Sequence, residues 1–277
     1  MIDVWDVRTF DADLHEMLSA KAEVIIGYMK TDLEITLAYD LASGLDRPIT
    51  RPLNPYASAF QHFREALDLE MRSRTIRAYH YSRMTDEEVG TLRADGVRVS
   101  TLSLLRGRLD VLVRAGALAA TAADTMFEQS PFHSQPSRSG KFWMASHPIS
   151  PDDGGVEPLL AHWGGEVASM FLDDESVLSS LAETGTPRIL EVAVPMSATT
   201  HSYSAAVAVV ATFGRAIGGI PEKSAFDLFV TSDLPPAALI RVHSEGELPF
   251  ANMGRSYPVG YIDVDVGRWK ELTGEDD

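Results

Sequence analysis

The sequence predicts an α+β domain behind a helical N-terminal segment. Short apolar runs of strand length are mixed with helical stretches, but without the regular spacing of βαβ units. Residues 1 to about 75 carry helical periodicity and no strand pattern. No repeat at solenoid periods is present. We therefore divide the 277 residues into an N-terminal segment, 1–75, and an α+β domain, 76–277.

In the first segment Leu14, Met17, Leu18, Val24, Ile25, Tyr28, Met29 and Leu33 recur at helical intervals. The stretch Ser43 to Pro48, with Pro52 and Pro55, breaks the pattern. A further helix is expected from about Pro55 to Met71, with Tyr56, Phe60, Phe63 and Leu67 on one face.

The second segment opens on Ala78 to Arg83, a short aromatic strand. It runs straight into a helix announced by Thr85-Asp86-Glu87-Glu88. Thr85 and Glu88 have capping-box spacing, the acidic first turn suits the positive helix end, and Gly96 closes it. Helices follow at 101–116 and 121–129, then a loop holding His133. Gly140 to Ser146 reads as a strand, and Gly154-Gly155 as a turn before a short helix ending near Trp163. A strand is expected over 166–172, and Asp173 or Asp174 caps a helix to Gly185. Arg188 to Val194, Phe226 to Val230 and Ala238 to Val242 read as strands, 202–217 as a small-residue helix. A last strand, 260–264, precedes a terminal helix with Trp269. About seven strands result.

Composition narrows the function. No apolar run approaches the ~20 residues that span a bilayer, and Met1 to Asp6 lacks the basic start and apolar stretch of a signal peptide. With no cysteine there is no disulfide, thiolate metal site or cysteine nucleophile. A cytoplasmic protein with no membrane partner is the expectation. A formal charge of −16 works against nonspecific attraction to nucleic acid. Arg72, Arg74, Arg77 and Arg83 read as a solvated basic face.

Familiar motifs are missing: neither Gly-x-Gly-x-x-Gly, nor a Walker loop, nor His-Glu-x-x-His, nor Gly-x-Ser-x-Gly occurs. His80 is the first candidate, because a histidine between two tyrosines, on a strand ending at a helix N-terminus, suits an anionic ligand. Trp163-Gly164-Gly165-Glu166 is read as a core tryptophan beside a turn, with a ligand shelf as the alternative. Tyr203 is a weaker candidate for a pocket wall.

Taken in order, three stretches resemble the histidine-type motifs of the ADP-ribosyltransferase-like superfamily. They are Tyr79-His80-Tyr81-Ser82 with its helix and Gly96, Gly140-Lys141-Phe142-Trp143-Met144-Ala145-Ser146, and Phe226-Asp227-Leu228-Phe229-Val230 followed by Leu234-Pro235-Pro236 and Leu239-Ile240. The resemblance covers roughly residues 76–245 and implies a mixed or antiparallel split sheet with helices. It implies NAD as substrate, and ADP-ribosyl transfer or NAD glycohydrolysis of the kind used by intracellular toxins and defence effectors. His80, with Tyr81 beside it, would orient NAD through a ribose hydroxyl or the carboxamide. Trp143 would stack on nicotinamide, Ser146 would donate nearby, and Asp227 would be the catalytic carboxylate. The family often has tyrosine and glutamate where Trp143 and Asp227 stand, so Glu191, Glu245 and Glu247 remain open as the acid. The acceptor is open among protein, nucleic acid and small molecule. Two other functions stay in view: a non-catalytic nucleotide- or protein-binding module of the same fold, and a metal-dependent hydrolase using His80, His147, His162, Asp152 and Asp153.

Overall fold

A computed structural model describes residues 1–40, 50–169, 171–221 and 225–255. Along the chain run α1 (Ala12–Ser19), α2 (Ala22–Ile35), α3 (Ala57–Met71), β1 (Thr75–Met84), α4 (Asp86–Asp95), α5 (Leu102–Arg114) and α6 (Ala120–Glu128). Then come β2 (Phe142–Ala145), α7 (Glu157–Ala161), α8 (Glu166–Ser169), α9 (Glu175–Glu183) and β3 (Thr186–Pro195). The described order ends with α10 (Ser202–Ala216), β4 (Asp227–Val230), β5 (Leu239–Ser244) and α11 (Leu248–Ala251). The expected loop at Ser43–Pro48 and the strand and helix after residue 260 lie outside the described residues.

The chain forms two compact units. One gathers 1–77 with 195–226; the other holds 78–194 with 227–255. In the first, α10 packs on α2 and α3. Its small residues allow close approach: a Cβ on Gly214 would meet the Met29 methyl at 2.5 Å. Ala205, Ala206, Val209 and Val210 are buried there, and the Tyr28 ring stacks on Phe60 at 3.9 Å. Ile2 adds a parallel bridge to Ile76. In the arginine cluster read as a solvated face, Arg72 is exposed and Arg74 is largely covered. Arg72 pairs with Asp68 at 2.7 Å and Arg74 with Asp11 at 2.9 Å, so both charges are matched locally.

The second unit is an α+β domain on a five-stranded antiparallel sheet, ordered β4-β2-β1-β3-β5. Tyr79 stands opposite Ala145, and Ala145 opposite Asp227, so the three lie side by side across β1, β2 and β4. The strands expected at Phe226–Val230 and Ala238–Val242 are successive in sequence. They form opposite edges of the sheet, β4 on β2 and β5 on β3. Tyr79, Tyr81, Ala145 and Ile189 build one core with Leu160 and Phe250. Leu105, Leu109, Leu112, Met126, Trp163 and Leu181 build another between the helices.

Among the described residues of 166–172 there is no strand. Gly164 and Gly165 both take positive φ (77° and 63°), which turns the chain, and the Gly165 carbonyl then accepts from Ala168 and Ser169 amides to start α8. The capping box at Thr85 is formed as expected: its hydroxyl accepts from the Glu88 amide while the Glu88 carboxylate accepts from the Thr85 amide. Thr101 caps α5, and Asp174, not Asp173, caps α9.

Candidate functional site

A cleft of about 1320 Å³ opens in the second unit, walled by β1 and β2, by faces of α4 and α5, and by the turns before β2 and α8. His80, Tyr81, Trp143 and Asp227 all line it, whereas Ser146 does not: it is buried just past the end of β2.

His80 is held at one nitrogen. Its Nδ1 donates to the Trp143 carbonyl at 2.8 Å, and its ring lies 4.2 Å from that of Phe142. A carbonyl only accepts, so this bond fixes the proton on Nδ1 and leaves Nε2 as an acceptor in the neutral ring. Desolvation pushes the imidazole down to about 4; the Trp143 carbonyl opposes this and the Arg108 charge adds to it. His80 is therefore neutral at physiological pH.

Alternation along the strands sets which groups share a face. Trp143 lies opposite Phe229, two residues from Ala145, and so shares its face with Asp227 and Tyr79. His80 and Phe142 point from the other face. Trp143 is 44% exposed, its ring 4.7 Å from Phe229, and the Lys141 ammonium sits 4.1 Å from the Phe229 ring centre. Tyr81 is committed to structure: its hydroxyl accepts from the Ile149 amide at 2.6 Å and donates to the Ile149 carbonyl at 3.2 Å, and burial raises it above the ordinary tyrosine range.

The alternative acids are elsewhere. Glu191 bonds His243 at 2.7 Å between β3 and β5, and the Glu247 carboxylate accepts from the Ser244 amide at 3.1 Å. Glu245 follows β5, its amide donating to the Pro187 carbonyl. None of the three lines the cleft. His133 bonds the Phe127 carbonyl, and His147 is half-buried, its imidazole lowered to about 4 by desolvation. Among the described residues no group of three or more histidine, aspartate or glutamate side chains gathers at metal-binding range, so His80, His147, His162, Asp152 and Asp153 form no such cluster. Tyr203 belongs to the first unit, beside Gln61 and Arg64. No helix among the described residues is long and apolar enough to cross a membrane.

Sequence reasoning missed the polar group that α4 and α5 bring to the cleft. Glu88, beyond its capping role, accepts from Arg108 Nε at 2.7 Å and from the indole N–H of fully buried Trp163 at 2.9 Å. Burial pushes the Glu88 carboxyl up, but the Arg108 charge and these hydrogen bonds outweigh it and leave it below the ordinary value. Arg108 also lies over the Trp163 ring, 4.5 Å from its centre. Arg138 pairs with Glu166 on the same cleft. A signal was present: Arg108 adjoins the apolar stripe Leu105, Leu109 and Leu112, and a charge bordering a buried face is the informative exception. No family model, curated protein or solved structure matches this chain.

Proposed function

We propose that the second unit binds NAD in this cleft and transfers its ADP-ribose to an acceptor or to water. The observation that carries the reading is His80: a neutral imidazole with one nitrogen tied to a carbonyl and an acceptor nitrogen left for a ribose hydroxyl, on the wall of the cleft. A volume of about 1320 Å³ exceeds the roughly 300–1,000 Å³ typical of small-ligand pockets, which suits a dinucleotide. Arg98, Arg108, Arg138 and Lys141 place cationic groups on the cleft wall among six carboxylates, Glu87, Glu88, Asp153, Glu166, Asp227 and Asp233.

In this reading the glycosidic bond between nicotinamide and ribose breaks with its electron pair leaving on nicotinamide. The acceptor nucleophile, or water, then bonds the ribosyl carbon and gives up its proton. For turnover, an NAD held at His80 would have to extend through the cleft to the other sheet face, where Trp143 would stack on the nicotinamide and Asp227 would stabilise the oxocarbenium charge that exists only near the transition state. Ser146 takes no part.

The test is nicotinamide release by the whole chain supplied with NAD. Asp227→Ala should lower turnover by roughly 10²–10³-fold, the scale of removing one electrostatic stabiliser, with NAD affinity unchanged. Undiminished turnover in that variant would move the acid to another residue. A binding-only module is the second reading, favoured by alternation placing Asp227 and His80 on opposite sheet faces. Bound NAD without nicotinamide release would select it.

A further inference from the structure

We propose that Arg108 is the receptor for the phosphate or pyrophosphate of the ligand in this cleft. The proposal rests on the cleft being a ligand site, and not on turnover of NAD. A guanidinium carries five N–H donors in a rigid fork. In Arg108 one of them, on Nε, is spent on Glu88 at 2.7 Å. Among the described residues Nη1 and Nη2 make no hydrogen bond, although the residue lines the cleft and its side chain is only 27% exposed.

The group is held before any ligand arrives. Glu88 fixes Nε, the buried Trp163 ring supports the guanidinium plane at 4.5 Å, and Glu88 is itself fixed by the Thr85 amide at 2.8 Å and the Trp163 N–H at 2.9 Å. Glu88 therefore neutralises Arg108 and orients it while leaving the paired terminal nitrogens for a ligand. Two parallel N–H donors match two oxygens of a phosphate, and an arginine held this way loses little entropy on binding. Beside Arg108, Gly107 also lines the cleft, and a Cβ there would meet nothing within 4 Å.

Calorimetric titration of the whole chain with inorganic pyrophosphate, ADP and adenosine tests this. Wild type should bind pyrophosphate and ADP. Arg108→Gln should weaken both by roughly 10–100-fold, the scale of charge-assisted hydrogen bonds, and leave any adenosine binding unchanged. Arg108→Lys should recover less than half of the loss on a logarithmic scale, because a point charge lacks the fork. Since Arg108→Gln leaves the Glu88 carboxylate without its cation, the double variant Glu88→Gln/Arg108→Gln is titrated beside it and should show the same loss. ADP bound with pyrophosphate ignored by wild type would overturn the proposal, as would undiminished pyrophosphate binding in both variants. Arg108-dependent pyrophosphate binding without nicotinamide release from NAD would uphold it while removing the transferase reading.

Discussion

Two side chains decide how the cleft responds to acid. His80 takes a proton near pH 4 in the folded chain, below its ordinary 6.5. The unfolded chain protonates first, so the contribution of neutral His80 to stability is fully present above pH 6.5 and is lost as pH falls towards 4. His147 shifts in the same direction to about the same value. Denaturation midpoints should therefore fall between pH 6.5 and 4, and His80→Asn should reduce that slope without abolishing it. An unchanged slope would mean His80 is charged or exposed. By the same reasoning NAD affinity should stay flat from pH 8 to 5, where an ordinary histidine would produce a break near 6.5. Glu88 lies below its ordinary 4.5, so its stabilisation is present above that value and is lost below it. Glu88→Ala removes the acceptor of Thr85, Trp163 and Arg108 together. Chemical denaturation should show a loss of about 2 kcal/mol or more, since a partly buried cation is left without its partner.

Elements with a local code were legible in the sequence. The box at Thr85–Glu88 formed the start of α4, Thr101 the start of α5, and Gly96 the end of α4, because each depends on residues within one helical turn. Gly96 has a further reason to be glycine: its φ is +91°, and a Cβ would stand 2.0 Å from the Leu234 carbonyl oxygen. Gly96→Ala should cost at least about 1–3 kcal/mol in backbone strain alone, read as a lower denaturation midpoint. What depended on distant pairing was not legible. The strands 227–230 and 239–244 look like neighbours in sequence, yet β2 and β3 claim them at opposite edges. Residues 166–172 have the composition of a strand, but the glycine pair before them turns the chain into α8. His80, Tyr81, Trp143 and Asp227, singled out by motif order, line the cleft, whereas the Glu88–Arg108–Trp163 contact joins residues 20 and 75 positions apart, a pairing with no local signature.

At the scale of the molecule, a chain of net charge −16 repels an anionic dinucleotide at long range, and that field is screened within about 8–10 Å at physiological salt. Binding then has to come from individual short-range groups in the cleft, where four cationic side chains stand among six carboxylates. The measurement that tests NAD binding most directly is the melting temperature of the purified chain with NAD at about 100 times its dissociation constant. Binding to the folded state adds about 2.7 kcal/mol under those conditions, which corresponds to a rise of about 5 °C or more for a chain near this size. The account predicts that rise in wild type, and a smaller one in His80→Ala at the same NAD concentration. No shift with NAD at any concentration up to millimolar would contradict it.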